Sequence, residues 1–160
     1  MSGESDNPAS VGTTSAQIKA SPMEIATQVA SFERSPSTLE LKAVLLVDDD
    51  KQLASALQWI LADENFLVDV AHNGEEALLK VQAFEYDVVV CDLMMPRLRG
   101  DEFFVQAKAM RPALARRFVF ITGFAADPQI NDFLTGNDVE FLVKPFPVQR
   151  LIKRVRDIIG

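Results

Sequence analysis

Cysteine is nearly absent from this sequence. The 160 residues hold one, Cys91, so no disulfide can close within the chain, and that usage suits a reducing compartment. Cys91 ends an apolar run and is expected as a small core residue. Positive charge is also scarce: 16 Lys and Arg stand against 23 Asp and Glu, a formal net charge of −7. That balance argues against direct nucleic-acid binding, which needs a basic face to neutralise phosphates, and it is the wrong sign for an anionic membrane surface. No apolar stretch approaches the ~20 residues of a membrane span. The N-terminus lacks the basic-then-apolar layout of a signal peptide, so a cytoplasmic protein is expected. Histidine and tryptophan occur once each. His72 is expected on a surface loop and Trp59 as a packing residue on the first helix.

What is present suffices for one domain. The chain is 48% hydrophobic and 24% charged, enough apolar material for a single full core. Residues 1–40 differ from the rest: they are rich in Ser, Thr, Ala and Pro, with no strand-like run, and form a low-complexity N-terminal tail. Residues 1–21 are expected to be disordered. Residues 22–33 hold a possible short helix with Met23, Ile25, Val29 and Phe32 as apolar positions, too short to be stable alone. Residues 41–160 are the candidate domain.

Within that domain, strand and helix signals alternate five times. AVLLV (residues 43–47), DVVVC (87–91) and RFVFI (117–121) are continuous apolar runs, as expected of strands buried on both faces. Residues 66–70 and 139–143 are further strands. Each carries an acidic residue, Asp69 or Glu140, and suits an edge. A helix over 51–62 places Leu53, Leu57, Ile60 and Leu61 on one face. Asn73 caps the next helix with Glu76 at the capping-box position, and Ala77, Leu78, Val81 and Phe84 form its core face. A third helix lies around 102–110. Asp127 and Pro128 open a fourth, which stops near Gly136. Pro147 opens a fifth, whose Val148, Leu151, Ile152 and Val155 form an apolar stripe opposite Lys153, Arg154 and Arg156. Five βα units with short connections imply a doubly wound α/β fold with a parallel sheet and helices on both faces.

In such a sheet, ligands bind beyond the carboxyl ends of the strands. Asp48, Asp49 and Asp50 follow the first strand, Asp92 the third, Thr122 the fourth and Lys144 the fifth. Clustered carboxylates repel one another unless a cation is present. As hard oxygen ligands they suit Mg2+, or Mn2+. Such a cation neutralises charge on a transferring phosphoryl group, one carboxylate can act as nucleophile, and a Lys and a Thr can bind the phosphoryl oxygens. Asp50 is expected to cap the first helix and not to be a ligand. Pro96 and Gly100 are expected to set loop geometry.

The motifs LLVDDD (45–50), VVCDLMMPRLRG (89–100), FITG (120–123) and FLVKPF (141–146) occur in order over roughly residues 41–160. Together they resemble the response-regulator receiver domain of two-component signalling. The resemblance implies a flavodoxin-like five-stranded sheet in the order 2-1-3-4-5. It implies phosphorylation of Asp92, a metal held by Asp48, Asp49, Asp92 and the Met94 carbonyl, and phosphoryl contacts from Thr122 and Lys144. The Lys144–Pro145 peptide is typically cis in the family. Thr122 and Phe141 match the switch positions, where Phe141 stands in place of the frequent Tyr and lacks its hydroxyl. Met94 and Phe124 match positions that tune hydrolysis. Both are bulky and apolar, which predicts a shielded, longer-lived phosphoryl group.

The implied donor is a histidine kinase or a histidine phosphotransfer protein. The implied reader is a downstream target protein docking on the fourth helix, fifth strand and fifth helix, with Ile130, Phe141, Arg150 and Arg154 as candidates. The chain is then not an enzyme beyond its own phosphorylation and dephosphorylation. It is a monomer or a phosphorylation-dependent dimer. The initial Met and the low-complexity start favour a stand-alone regulator over a piece of a larger kinase. Two alternatives stand beside this reading. One is a pseudo-receiver that only binds partners, but such domains usually lack part of the acidic set or the Lys. The other is an Asp-nucleophile phosphatase, which usually carries a DxD signature and a cap insertion; here Asp92-Leu93-Met94 stands instead.

Overall fold

The apolar runs become the strands, and their alternation with amphipathic helices becomes the architecture. The computed structural model describes residues 40–160. The expected disorder over 1–21 and the possible helix over 22–33 fall outside the described residues. Leu41–Gly160 form one compact unit. In chain order the elements are β1 (Ala43–Val47), α1 (Lys51–Asp63), β2 (Leu67–Ala71), α2 (Gly74–Ala83), β3 (Val88–Asp92) and α3 (Gly100–Met110). A 3-10 turn (Pro112–Arg116), β4 (Phe118–Thr122), α4 (Pro128–Gly136), β5 (Glu140–Val143) and α5 (Val148–Ile159) follow. The five strands are parallel and ordered β2-β1-β3-β4-β5. The acid-bearing strands β2 and β5 are the edges, as their composition implies.

Successive side chains of a strand point to opposite faces, so each central strand feeds two cores. Leu45, Val47, Val89, Cys91, Phe118 and Phe120 pack with Ala77 and Val81 of α2, Phe103 and Phe104 of α3 and Leu134 of α4. Val44, Leu46, Val88, Val90, Val119 and Ile121 pack with Leu57 and Leu61 of α1 and Leu151 and Val155 of α5. On the first face Phe104 meets the rings of Phe118, Phe120 and Phe133 edge-on at 5.0–5.7 Å, the favoured aromatic geometry.

Several expectations are corrected. Trp59 is 74% exposed: the buried stripe of α1 is Ala54, Leu57 and Leu61, and a residue two past Leu57 points about 200° away from it. Phe84 is also exposed. α2 ends at Ala83 and Phe84 has extended backbone, which turns its ring off the helix face. Ile130 is buried under the sheet and offers nothing to a partner. β2, β3 and β4 each run one residue later than their apolar runs suggest. Asp87 is not the first rung of β3: its carboxylate accepts from the Ala43 N–H at 2.8 Å, a clasp ahead of the strand. At the other end the ladder continues through Asp92, paired with Ile121, and Thr122, paired with Val143. α3 begins at Gly100, earlier than expected, with no side-chain cap from Arg99.

Candidate functional site

The strand extension places two polar residues inside the sheet edge. Asp92 and Thr122 end β3 and β4 as ladder members, and both are buried. The Lys144 N–H donates to the Thr122 carbonyl at 2.8 Å, so the backbone after β5 is tied to the end of β4. The Lys144–Pro145 bond is cis. The Lys144 ammonium donates to Asp92 Oδ2 at 3.0 Å and stands 3.6 Å from Asp48 Oδ2. Asp92 Oδ1 accepts from the Met94 N–H at 3.1 Å.

Asp48 is 1% exposed. Its N–H donates to the Ala71 carbonyl and its Oδ1 accepts from the Asp50 N–H at 2.9 Å. Its Oδ2 is buried with no hydrogen-bond partner among the described residues. Asp49 is exposed at the rim. Carboxylate oxygens of Asp48, Asp49 and Asp92 all lie within 4.8 Å of one another. Asp50 is turned away: its carboxylate accepts from the Gln52 and Leu53 N–H groups and caps α1.

The electrostatics follow from this crowding. Burial pushes the Asp48 carboxyl up to about 6; the charges of Asp92 and Asp49 add to the rise, and the Asp50 N–H and Lys144 oppose it. Burial alone would lower the Lys144 ammonium, but its bond to Asp92 and the negative charges of Asp92 and Asp48 prevail and hold it above the ordinary lysine value. An orphaned buried carboxylate oxygen facing two further carboxylates fits a hard divalent cation, and the donor set is all oxygen.

The remaining sequence-predicted residues surround this centre. The Thr122 hydroxyl oxygen accepts from the Phe124 N–H at 2.9 Å, leaving its proton free to donate. Met94 and Phe124 are 41% and 56% exposed. Phe141 is half-buried on β5, in register with Phe120, and packs on the edge of the aromatic core. It also lines a groove of about 430 Å3 with Phe146, Arg150 and Arg154. Gly100 lies so close to the end of β3 that an added Cβ would stand 2.3 Å from the Asp92 carbonyl oxygen.

One neighbour is not legible from the motifs. His72 is half-buried, and its Nδ1 lies 3.2 Å from the Asp48 carbonyl oxygen. Strand register was the available signal. β1 and β2 pair with Val47 opposite Ala71, so the residue after β2 must abut the residue after β1.

A family model described as the response regulator receiver domain matches residues 44–156. Among curated proteins, the response regulator ArlR of Staphylococcus aureus is 31% identical over 119 residues, covering 72% of this chain and 52% of the relative. The chain thus spans about half the length of the curated relatives it matches. Among solved structures, the chemotaxis protein CheY4 of Vibrio cholerae is similar at a TM-score of 0.66 and 28% identity, over 74% of this chain and 98% of that one. The response regulator TrrA of Thermotoga maritima, solved in complex with Mg2+-BeF, is similar at 0.65 and 27%, over 74% and 99%.

Proposed function

The chain belongs to the response regulator receiver domain family, and on that premise we propose that Asp92 accepts a phosphoryl group in a Mg2+-dependent reaction. The observation that carries this reading is the convergence on Asp92: an ammonium at 3.0 Å and two further carboxylates with oxygens within 4.8 Å. Asp48, Asp49, Asp92 and the Met94 carbonyl would hold the cation. When bound, Mg2+ (or Mn2+) offsets carboxylate repulsion and the charge that builds on the phosphoryl oxygens.

The side chains supply the rest. An Asp92 carboxylate oxygen attacks phosphorus of a phosphohistidine on a kinase or phosphotransfer protein. The O–P bond forms as the P–N bond breaks, and the histidine nitrogen keeps the electron pair. Lys144 moves its hydrogen bond from the carboxylate to a phosphoryl oxygen, and Thr122 donates its free proton to another. Water attacking the same phosphorus later returns Asp92 and inorganic phosphate. No separate substrate is turned over, so the chain acts as a switch and not as an enzyme in the wider sense.

The acyl phosphate adds about −1.5 to −2 of charge and new acceptors beside Thr122. Phe141, one strand away, is the switch side chain, and the groove it lines with Arg150 and Arg154 is the surface a downstream target reads. Incubation with acetyl phosphate and Mg2+, followed by intact mass, tests the proposal. The wild-type chain is expected to gain one phosphoryl group and Asp92→Asn none. An unchanged wild-type mass would favour a partner-binding pseudo-receiver instead.

A further inference from the structure

The turn between β2 and α2 supplies no carboxylate to the site, yet it touches both loops that do. His72 Nδ1 lies 3.2 Å from the Asp48 carbonyl oxygen. Two residues on, Gly74 is packed so tightly that a Cβ there would stand 2.3 Å from the Leu98 carbonyl oxygen, in the loop that follows Asp92. The turn itself is fixed. The Asn73 carboxamide oxygen accepts from the Glu76 N–H at 2.8 Å, and the Glu76 carboxylate accepts from the His72 N–H at 3.0 Å.

We infer that His72 is a positioning residue for the divalent site: its Nδ1–H donates to the Asp48 carbonyl and orients the Asp48–Asp49 peptide. The inference rests on the reading of Asp48, Asp49 and Asp92 as a cation site. With the ring in place, three of the four polar groups of Asp48 are engaged. The N–H is on Ala71, the carbonyl on His72 and Oδ1 on the Asp50 N–H. The fourth, Oδ2, is buried with no hydrogen-bond partner among the described residues, 3.6 Å from the Lys144 ammonium and facing the other acidic side chains. Ligand affinity depends on holding such an atom in place before the cation arrives, and groups that orient a ligand without touching the metal carry much of it. The carbonyl that His72 holds is the acyl half of the peptide bond whose other half begins Asp49. A slack peptide there would loosen two carboxylates at once.

The geometry requires a proton on Nδ1. A long-range proton–nitrogen spectrum of the wild-type ring is expected to show Nδ1 protonated, and a bare Nδ1 lone pair would overturn the inference without any mutation. The second arm is a Mg2+ titration by calorimetry. His72→Ala is expected to raise the dissociation constant about three- to tenfold, the worth of one neutral hydrogen bond. His72→Asn, whose amide nitrogen can stand near the Nδ1 position, is expected to recover most of the loss. Equal affinities of wild type and His72→Ala, or no recovery in His72→Asn, would overturn it. Asp49→Asn separates the two levels of argument. If the wild type fails to bind, or Asp49→Asn binds as the wild type does, the cation site itself is wrong. If only the His72 variants are neutral, the positioning role alone is lost.

Discussion

Burial and like charge hold the Asp48 carboxyl at about 6, above its ordinary 3.8, and this single residue ties stability and binding in opposite senses. Between about pH 4 and 6 the folded, metal-free chain binds a proton at Asp48 that the unfolded chain does not. Stability from this group is therefore gained as pH falls through 6 and lost as pH rises through it. A divalent cation competes for the same charge, so its affinity is expected to weaken over the same fall in pH, as a calorimetric titration at pH 7.5 and 5.5 would report. Asp48→Asn should separate the two effects. Removing one charge from three crowded carboxylates is expected to raise the metal-free melting temperature by roughly 3–6 °C, equivalent to about 1 kcal/mol. The same change is expected to weaken Mg2+ binding by at least about tenfold, since ligand charge sets affinity. A variant that loses stability without metal would show that the Asp48 charge is already compensated. Most of this chemistry was legible from residues alone, because carboxylates, a hydroxyl and an ammonium at the carboxyl ends of strands must meet. His72 was not: its role depends on which strands are neighbours and in what register, and a lone imidazole before a capped helix carries no sign of either.

At the scale of elements, the sequence patterns mark each strand and each α-helix of residues 40–160, while their ends are set by contacts the patterns do not encode. β3 and β4 continue one residue past their apolar runs because the ladder is satisfied there by Ile121 and Val143. The Asn73 cap was readable, but Glu76 reaches the His72 N–H and not that of Asn73, because the partner donor belongs to the turn's own geometry. Phe84 and Trp59 are exposed against expectation, because aromatic character suggests burial whereas helix phase and the end of α2 decide it. α3 starts two residues before its expected position because Gly100 allows the helix to approach the Asp92 backbone. That approach makes a prediction. Gly100→Ala forces a Cβ against the Asp92 carbonyl, a backbone atom that cannot yield without moving the nucleophile. It is expected to cost about 1–3 kcal/mol and to slow phosphoryl uptake from acetyl phosphate. Gly136→Ala, with no described residue within 4 Å of the added Cβ, is the control and is expected to leave uptake unchanged. Chemical denaturation and intact mass on both variants check the contrast; equal uptake in the two would mean the β3–α3 junction is looser than its spacing implies.

Over the molecule as a whole, the sheet separates two tasks. Its two apolar faces carry the stability, with β1, β3 and β4 buried on both sides. Its carboxyl edge carries a concentration of negative charge in a chain whose net charge is already −7. Among the described residues Lys144 is the cation paired with Asp48 and Asp92, and Asp49 lies exposed beside them. A cation that binds the folded chain and not the unfolded one stabilises by mass action, about 2.7 kcal/mol at a hundredfold excess over its dissociation constant. For a domain of this size that is a rise of roughly 8–16 °C in melting temperature. Calorimetry with saturating Mg2+ is expected to show the rise, and a chelator to reverse it. In Asp49→Asn the rise should shrink by more than half, with the metal-free melting temperature little changed, because Asp49 is at the rim and supports no packing. The measurement needs no phosphoryl donor, so it tests the charge arrangement apart from the chemistry proposed for it. A melting temperature indifferent to Mg2+ would leave three converging carboxylates without the cation that their repulsion demands.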